Sequence, residues 1–569
     1  MKSRAISWLL LLAIVSALGA AWFGTLNERK LVRPDEGRYA EIPREMVVSG
    51  DWVTPRLNGI KYFEKPALQY WTTAAAYEVF GESQWTARIW PALTGFGGIL
   101  LAWFLGYRLW GQRAGILAGA ILASTLLYNV MGHIITLDMS LSFFLQMAWT
   151  GFILAQIEPD RSRKWMWMAW AGLALAALSK GLVAGVLTGG VLVAYSIINR
   201  DISPWKRFAP LSGFLIFLAI AAPWFIVVSL ANPEFPHFFF IHEHFERFLT
   251  KVHHRYQPNW YFVPIYFLGA LPWAFLALHA LTKSWTERIA GKFNPERFLL
   301  LWTVLTFVFF SVSSSKLPPY ILPIFPALAL LGGKVLYELP RKTLLIHLGL
   351  LLLIAAAALW FAPQMVHEVD ADYNPEMMQG LAKWLTGAAI VWAITLVLTA
   401  RLVWQHMQLL ALVVLAAGSF IAGTGILLGH DKLHPFNSAW SSAEKIRPLL
   451  TPGVPFYSVQ WYEQTLPFYI KRNVTLVEYQ DEMAFGIEQE PDKWIPTVAE
   501  FKQRWLTDKD AFAMVSISNF NGLKAEGFPM EEISRDQRNV YIRKPQAPAA
   551  DSSPAVPSPV APSSAVPAQ

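Results

Sequence analysis

Asp35, Glu36, Arg38, Glu41, Arg44 and Glu45 crowd one short stretch, RPDEGRYAEIPREM (residues 33–46), directly after an apolar run long enough to cross a bilayer. Carboxylates set among guanidinium groups can stabilise a developing positive charge and hold an anion in the same site. Three other outward stretches carry related chemistry. KYFEKP sets Glu64 and Lys65 beside Tyr62 and Phe63, and GHIITLDMS ends one apolar run at Asp138 and almost begins the next. Residues 233–262 hold His237, His242, His244, His253 and His254, with Glu243, Glu246, Arg247, Lys251 and Arg255. His242 and Glu246 are four apart, as on one helix face, but the order differs from the HExxH metal motif. Lys180 in LSKGL and Lys316 in SSSKLPP could each hold a lipid phosphate as a point charge or simply reach for the headgroups.

Each group also has a plainer role open to it. The charges after Asp35 sit at spacings of three and four, as on a solvated amphipathic helix with internal ion pairs. Asp35 can cap that helix, and Asp138 can cap or sit in an exposed loop. Tyr62, Phe63 and Lys65 can anchor the chain at headgroup level, and the histidine-rich stretch can be a basic, aromatic interfacial loop.

The elements that must position these residues are mostly membrane helices. Of 569 residues, 54% are hydrophobic and 15% charged, against about 25% charged in a soluble protein. Cysteine is absent, which excludes disulfides, thiolate metal sites and cysteine nucleophiles. The net charge of +7 implies neither nucleic acid nor an acidic ligand, since Lys and Arg chiefly set topology in a membrane protein. Apolar segments recur between residues 6 and 429 and give about thirteen spans. The shortest are 165–179 and 182–198. The first, ISWLLLLAIVSALGAAWFGTL, exceeds the h-region of a signal peptide and reads as an uncleaved helix.

With the N-terminus inside, the basic loops YRLWGQR, EPDRSRK, NRDISPWKR, KSWTERIAGKFNPER and YELPRK face the cytoplasm. The four acid- and histidine-bearing stretches, Lys180, Lys316 and everything after about residue 430 then face outward. GRYAEIPREMVVSGDW and KPALQYWTTAAAYEVFGES read as amphipathic helices along the outer membrane surface, each ended by a Ser/Gly signal. From 430 to 545 the composition turns soluble. VPFYSVQW, NVTLVEY, AFAMVSIS and NVYIRK read as strands, and SSAEKIRPLL and TVAEFKQRWLT as helices, which makes a small α/β domain. Residues 546–569 form a Pro/Ala/Ser tail too poor in apolar residues to fold. The expected fold class is therefore mainly α, a polytopic membrane domain (1–429) followed by a small outer α/β domain. Charge is scarce in mid-span, so the chemistry is expected at the outer interface, where a lipid headgroup lies. A transporter would more often bury its ionisable groups at the midplane.

The ordered run PDE-x-RYAEI-x-REM-x-x-SGDW-x-x-P, then YFEKP with a YW pair just after it, then LDM, resembles the bacterial aminoarabinose transferases of lipid A. These belong to the protein O-mannosyltransferase-like group of GT-C glycosyltransferases. The resemblance is close over residues 1–260, and the span count and outer domain extend it to about 545. It implies transfer of 4-amino-4-deoxy-L-arabinose from undecaprenyl phosphate to lipid A phosphates on the periplasmic face of the inner membrane, which gives resistance to polymyxin and cationic peptides. A related lipid-linked glycosyltransferase with another sugar or a protein acceptor is the alternative, and a lipid transporter a more distant one. By the same analogy Asp35 is the main catalytic carboxylate and Asp138 a second acid. Arg38, Tyr62, Lys65, Lys180, Arg247 and Lys316 are candidates for the donor and its phosphate. No cofactor is required, but Glu64, His242 and His244 leave open a divalent metal such as zinc. The expected partners are the lipid-linked donor, lipid A and membrane lipid, not nucleic acid.

Overall fold

The computed structural model describes residues 2–246, 257–285, 292–366 and 374–546; the side chains of residues 2–12 and 244–246 are also outside the described set. The Pro/Ala/Ser tail and Arg247, His253 and His254 lie outside it as well.

The first third of the chain builds helices α1 (Lys2–Gly24), α2 (Asp35–Ser49), α3 (Leu68–Phe80), α4 (Gln84–Trp110), α5 (Gln112–Ser124), α6 (Leu126–Met131), α7 (Leu137–Ile157), α8 (Ser162–Lys180), α9 (Val183–Asn199) and α10 (Pro210–Ala231). Local chemistry sets their ends. Ser83 and Thr86 form a reciprocal capping box at the start of α4. Gly50 stops α2 in the left-handed conformation, at φ 73°.

Among the described residues, eight helical segments are long and apolar enough to cross a membrane. The helices Phe262–Gly269 and Ala274–Lys283, bent by 104°, make up to nine. Helix α7 packs along α8 and α4 along α5. Buried side chains of α4, α5, α7, the Trp302 helix and the 321–331 segment form the membrane-domain core.

The outer domain is one six-stranded sheet. A separate hairpin, β1 (Arg56–Leu57) and β2 (Ile60–Lys61), comes before it; the sheet strands are β3 (Phe456–Val459), β4 (Thr475–Val477), β5 (Trp494–Ile495), β6 (Phe512–Ser516), β7 (Glu531–Arg535) and β8 (Asn539–Arg543). Their order is β5-β4-β3-β6-β8-β7. The first four pair in parallel, and β8 and β7 close the edge antiparallel. The four strands and two helices expected from sequence are present. Strands β5 and β7 were not expected: β5 is two residues long, and β7, with the sequence EEISR, is mostly exposed.

Side chains alternate across the sheet with period two, which explains how the two halves of the protein join. Tyr457, Val459, Ala513, Val515, Val540 and Ile542 face the outer helices Val498–Thr507 and Ile517–Ala525. Phe456, Leu476, Phe512, Met514 and Tyr541 face the opposite way. They share a core with Tyr39, Ile42 and Met46 of α2 and Tyr70 and Tyr77 of α3. Each such large apolar side chain contributes about 1.5–3 kcal/mol on burial. Helix α2 is thus held between sheet and membrane domain. This corrects the reading of its charges as a solvated face: Arg38, Glu41, Arg44 and Glu45 are all buried. Apolar periodicity could not show this, because the covering surface lies more than 400 residues away in sequence.

At Gly37 the two halves approach closely. A Cβ there would lie 2.5 Å from the carbonyl carbon of Gln464 and 2.6 Å from the amide nitrogen of Thr465. Backbone atoms cannot swing aside, so Gly37→Ala should loosen the outer domain by about 1–3 kcal/mol. Limited proteolysis should then cut residues 442–544 faster than in the native protein. Equal cleavage rates would mean the contact is slack.

Candidate active site

Glu36 organises the site. Its carboxylate takes a bidentate pair from Arg88, Nε to Oε1 and Nη2 to Oε2, both at 2.8 Å. It also accepts the amides of Val32 at 3.0 Å and Ile135 at 3.2 Å, and Arg29 lies 3.7 Å away. Burial alone would raise the carboxyl pKa, but the charges of Arg88 and Arg29 and the hydrogen bonds from Arg88 and the Val32 amide outweigh it and pull it down to about 2. One side chain thereby ties the α1–α2 loop, the start of α4 and the segment entering α7. Asp35 is its chain neighbour, and Asp138 follows Ile135 by less than one helical turn. The two acids named from sequence therefore leave a common anchor.

Asp35 is the first residue of α2 and caps nothing with its side chain. Its side chain is 39% exposed, with Oδ1 3.6 Å from Nη1 of Arg38. Arg38 is buried, forms an ion pair with Glu482 of the outer domain, and stands 5.7 Å from the ring of Tyr62. Glu482 in turn accepts from Gln464 at 2.7 Å.

Near this pair, Nε of Arg38 and the hydroxyls of Tyr62 and Tyr70 are fully buried with no hydrogen-bond partner among the described residues, and on the same helix as Tyr70 so are the Thr73 hydroxyl and both amide atoms of Gln69. Burial raises the Tyr62 and Tyr70 pKa values, so both phenols stay protonated and able to donate. A buried unpaired polar group costs about 1–3 kcal/mol, so such a cluster fits a polar ligand. Gln69, Tyr70 and Thr73 were not singled out from the sequence, though two polar residues four apart in the apolar helix α3 were a usable signal. Glu482 gave none.

Three backbone devices aim the cationic loop. Asn58 and Gly59, at φ 56° and 76°, form the tight turn of the β1–β2 hairpin. Glu45 accepts both of their amides, at 2.5 and 2.7 Å. The Asn58 side chain joins Val474 before β4 through two bonds, at 2.6 and 2.7 Å. The hairpin hands on to Tyr62–Lys65. Lys65 bonds Glu243 at 3.0 Å and lies 3.6 Å from Glu64. Phe63 packs with Leu178 of α8, next to Lys180. Lys180 ion-pairs with Asp138 and sits 4.3 Å above the Tyr320 ring.

Lys316 is buried and donates to the carbonyls of Gln257, at 2.7 Å, and Ser313, at 2.5 Å. Of the three expected metal ligands, two have described side chains. His242 stacks on Phe238 at 5.2 Å, Glu64 borders Lys65, and the His244 side chain lies outside the described residues. Among the described residues no three His, Asp or Glu groups converge as metal ligands.

Known proteins share both halves of this architecture. A family model described as "Aminoarabinose transferase C-terminal domain" matches residues 442–544, and one described as "Dolichyl-phosphate-mannose-protein mannosyltransferase" matches residues 6–286. The undecaprenyl phosphate-alpha-4-amino-4-deoxy-L-arabinose arabinosyl transferase of Aeromonas salmonicida is 40% identical over 312 residues, covering 54% of this chain and 56% of the relative. Its Aeromonas hydrophila counterpart is 36% identical over 372 residues, covering 63% and 66%. The matched stretches thus span just over half to two thirds of these relatives' length. The crystal structure of ArnT from Cupriavidus metallidurans bound to undecaprenyl phosphate superposes with a TM-score of 0.89 at 36% identity, over 95% of this chain and 98% of that one. The apo form of that enzyme gives 0.87. With a sheet domain clamped over a GT-C-type membrane domain throughout that length, the chain belongs to the ArnT family of aminoarabinose transferases.

Proposed function

We propose that this protein transfers 4-amino-4-deoxy-L-arabinose from undecaprenyl phosphate to a phosphate of lipid A, and that Asp35 and Asp138 lie at the reacting centre. The observation that carries this reading is the partly exposed Asp35 carboxylate beside Arg38 and a cluster of buried, unpartnered polar groups. A sugar ring can fill that cluster, with Tyr62, Gln69, Tyr70 and Thr73 meeting its hydroxyls. The bond from the anomeric carbon to the donor phosphate breaks, and a bond to an oxygen of the acceptor phosphate forms. Undecaprenyl phosphate leaves. Positive charge builds on the ring as the first bond breaks, and the Asp35 carboxylate stabilises it. The acceptor phosphate is already anionic, so no base need deprotonate it. Lys65, Lys180 and Arg38 are the cations proposed to take up charge on the departing phosphate.

The proposed topology has thirteen spans. Besides the eight long segments and the bent pair, α1, α5, α8 and α9 complete the count. The C-terminus then faces the periplasm of a bacterial inner membrane, as do α2, α3 and the site.

Lipid A from cells with and without the gene should differ by the aminoarabinose mass increment. Identical lipid A would remove the proposed acceptor. Lys65→Ala should raise the donor KM about tenfold, the worth of one charge-assisted contact, in addition to the stability lost when the buried Glu243 loses this partner. An unchanged donor KM would leave Lys65 a membrane anchor. This chemistry is proposed to need no metal, so transfer should survive EDTA. Loss restored by zinc would instead place an ion with Glu64, His242 and His244.

A further inference from the structure

The C-terminal domain also builds a cluster of positive charge with Arg33, two residues before Asp35 in the chain. The Arg33 amide donates to the carbonyl of Asn437 at 3.0 Å. Arg538 is held in the β7–β8 turn, where Asp536 accepts the amides of Arg538 and Asn539, at 2.8 and 2.7 Å, and the Tyr541 hydroxyl at 3.1 Å. Both guanidinium groups share the same two rings. Arg33 is 5.7 Å from Phe436 and 5.9 Å from Trp461, and Arg538 is 5.3 and 4.7 Å away. Three N–H groups here are buried with no hydrogen-bond partner among the described residues: Nε of Arg33, Nη1 of Arg538 and Nε1 of Trp461. Arg33, Phe436, Trp461 and Arg538 are each half-buried, not enclosed.

Two like charges at one pair of rings repel each other, and the rings offset only part of that. The nearby acids leave these donors open. Glu463 comes no closer to Arg33 than 3.7 Å and accepts instead from the hydroxyl and amide of Thr465, at 2.9 and 3.3 Å. Asp536 is committed to its own turn. Burial pushes Glu463 up to about 7 and Asp536 up to about 6, against the pull of Arg33 on the first and the turn's own hydrogen bonds on the second. Burial thus weakens the neutralising charge these two acids can offer the guanidinium groups.

We propose that Arg33, Arg538 and Trp461 bind a phosphate group of the acceptor lipid, so that the outer domain docks the acceptor beside Asp35. Two planar guanidinium groups and an indole N–H suit the oxygens of one phosphate monoester. The site rests on the transfer reading above, in which the donor phosphate occupies the Lys65 and Lys180 side.

The test uses the full chain in lipid nanodiscs. Binding of lipid A and of enzymatically dephosphorylated lipid A is measured without turnover, and KM values for donor and acceptor are measured in the transfer assay. Wild type should prefer the phosphorylated lipid about tenfold or more. Trp461→Phe keeps the ring and deletes one donor; Arg538→Gln deletes a charge. Each should lower that preference and raise the acceptor KM about five- to tenfold, with the donor KM unchanged. Equal wild-type affinity for the two lipids overturns the site, and so does an acceptor KM within about twofold of wild type in Trp461→Phe. A parallel rise in donor KM would assign the cluster to the donor phosphate and also overturns the proposal. A retained phosphate preference with no sugar transfer would instead count against the transfer reading.

Discussion

Asp35→Asn is expected to abolish sugar transfer, with kcat down by about a thousandfold or more, while the protein folds and inserts normally. The substitution is nearly isosteric but removes the negative charge that opposes the positive charge of an oxocarbenium-like state, and preorganised charge of this kind carries a large share of catalysis. Folding should not suffer, because among the described residues the Asp35 side chain caps no helix and its ion-pair contact with Arg38 is long at 3.6 Å. Arg38 keeps Glu482 as its main partner. The measurement is kcat with saturating donor and lipid A, alongside the thermal midpoint. Activity within tenfold of wild type would remove Asp35 from the mechanism.

Glu36→Ala should do the reverse and act first on the fold. It leaves Arg88 fully buried without its carboxylate, and Arg29 loses the same partner. Breaking a buried pair from one side costs about 3–5 kcal/mol. The pH dependence follows from the same carboxyl. Its pKa falls from 4.5 to about 2 on folding, so its stabilisation is complete above about pH 4.5 and is lost as pH drops toward 2. The shift corresponds to about 3 kcal/mol. Thermal unfolding of the detergent-solubilised protein from pH 6 to pH 3 should show a falling midpoint in wild type. In Glu36→Ala the midpoint should be lower throughout and the fall shallower. Parallel curves would show that another acid governs the acid limb.

Asp35 and Asp138 stood out in the sequence because an acid at the edge of an apolar run is conspicuous; their proposed roles came from the family resemblance. Three of the four parallel strands, β3, β4 and β6, were visible as short apolar runs, as strands buried on both faces should be, while the two-residue β5 was not. The burial of α2 was hidden, because its polar residues read as solvated while the structure pairs them: Glu41 with Arg44, Arg38 with Glu482 and Glu36 with Arg88. Periodicity reports where apolar side chains fall; it does not report which polar ones a distant segment will cover. The same limit hid Gln464, Trp461 and Arg538, which reach the site only once the sheet has folded over α2. Span length was ambiguous for a related reason. Helices α5 and α9, at 13 and 17 residues, fall short of the length a bilayer span needs, so length alone leaves them out of the eight long segments.

The central claim is that one site at the foot of α2 joins a lipid-linked sugar to a lipid phosphate. The most direct test supplies purified protein in nanodiscs with undecaprenyl phosphate-linked aminoarabinose and lipid A, and follows both lipids by mass spectrometry. The account predicts that lipid A gains the sugar on a phosphate as undecaprenyl phosphate accumulates in equal amount, and that Asp35→Asn stops both. Undecaprenyl phosphate release without sugar on lipid A, or equal turnover in the variant, would contradict it.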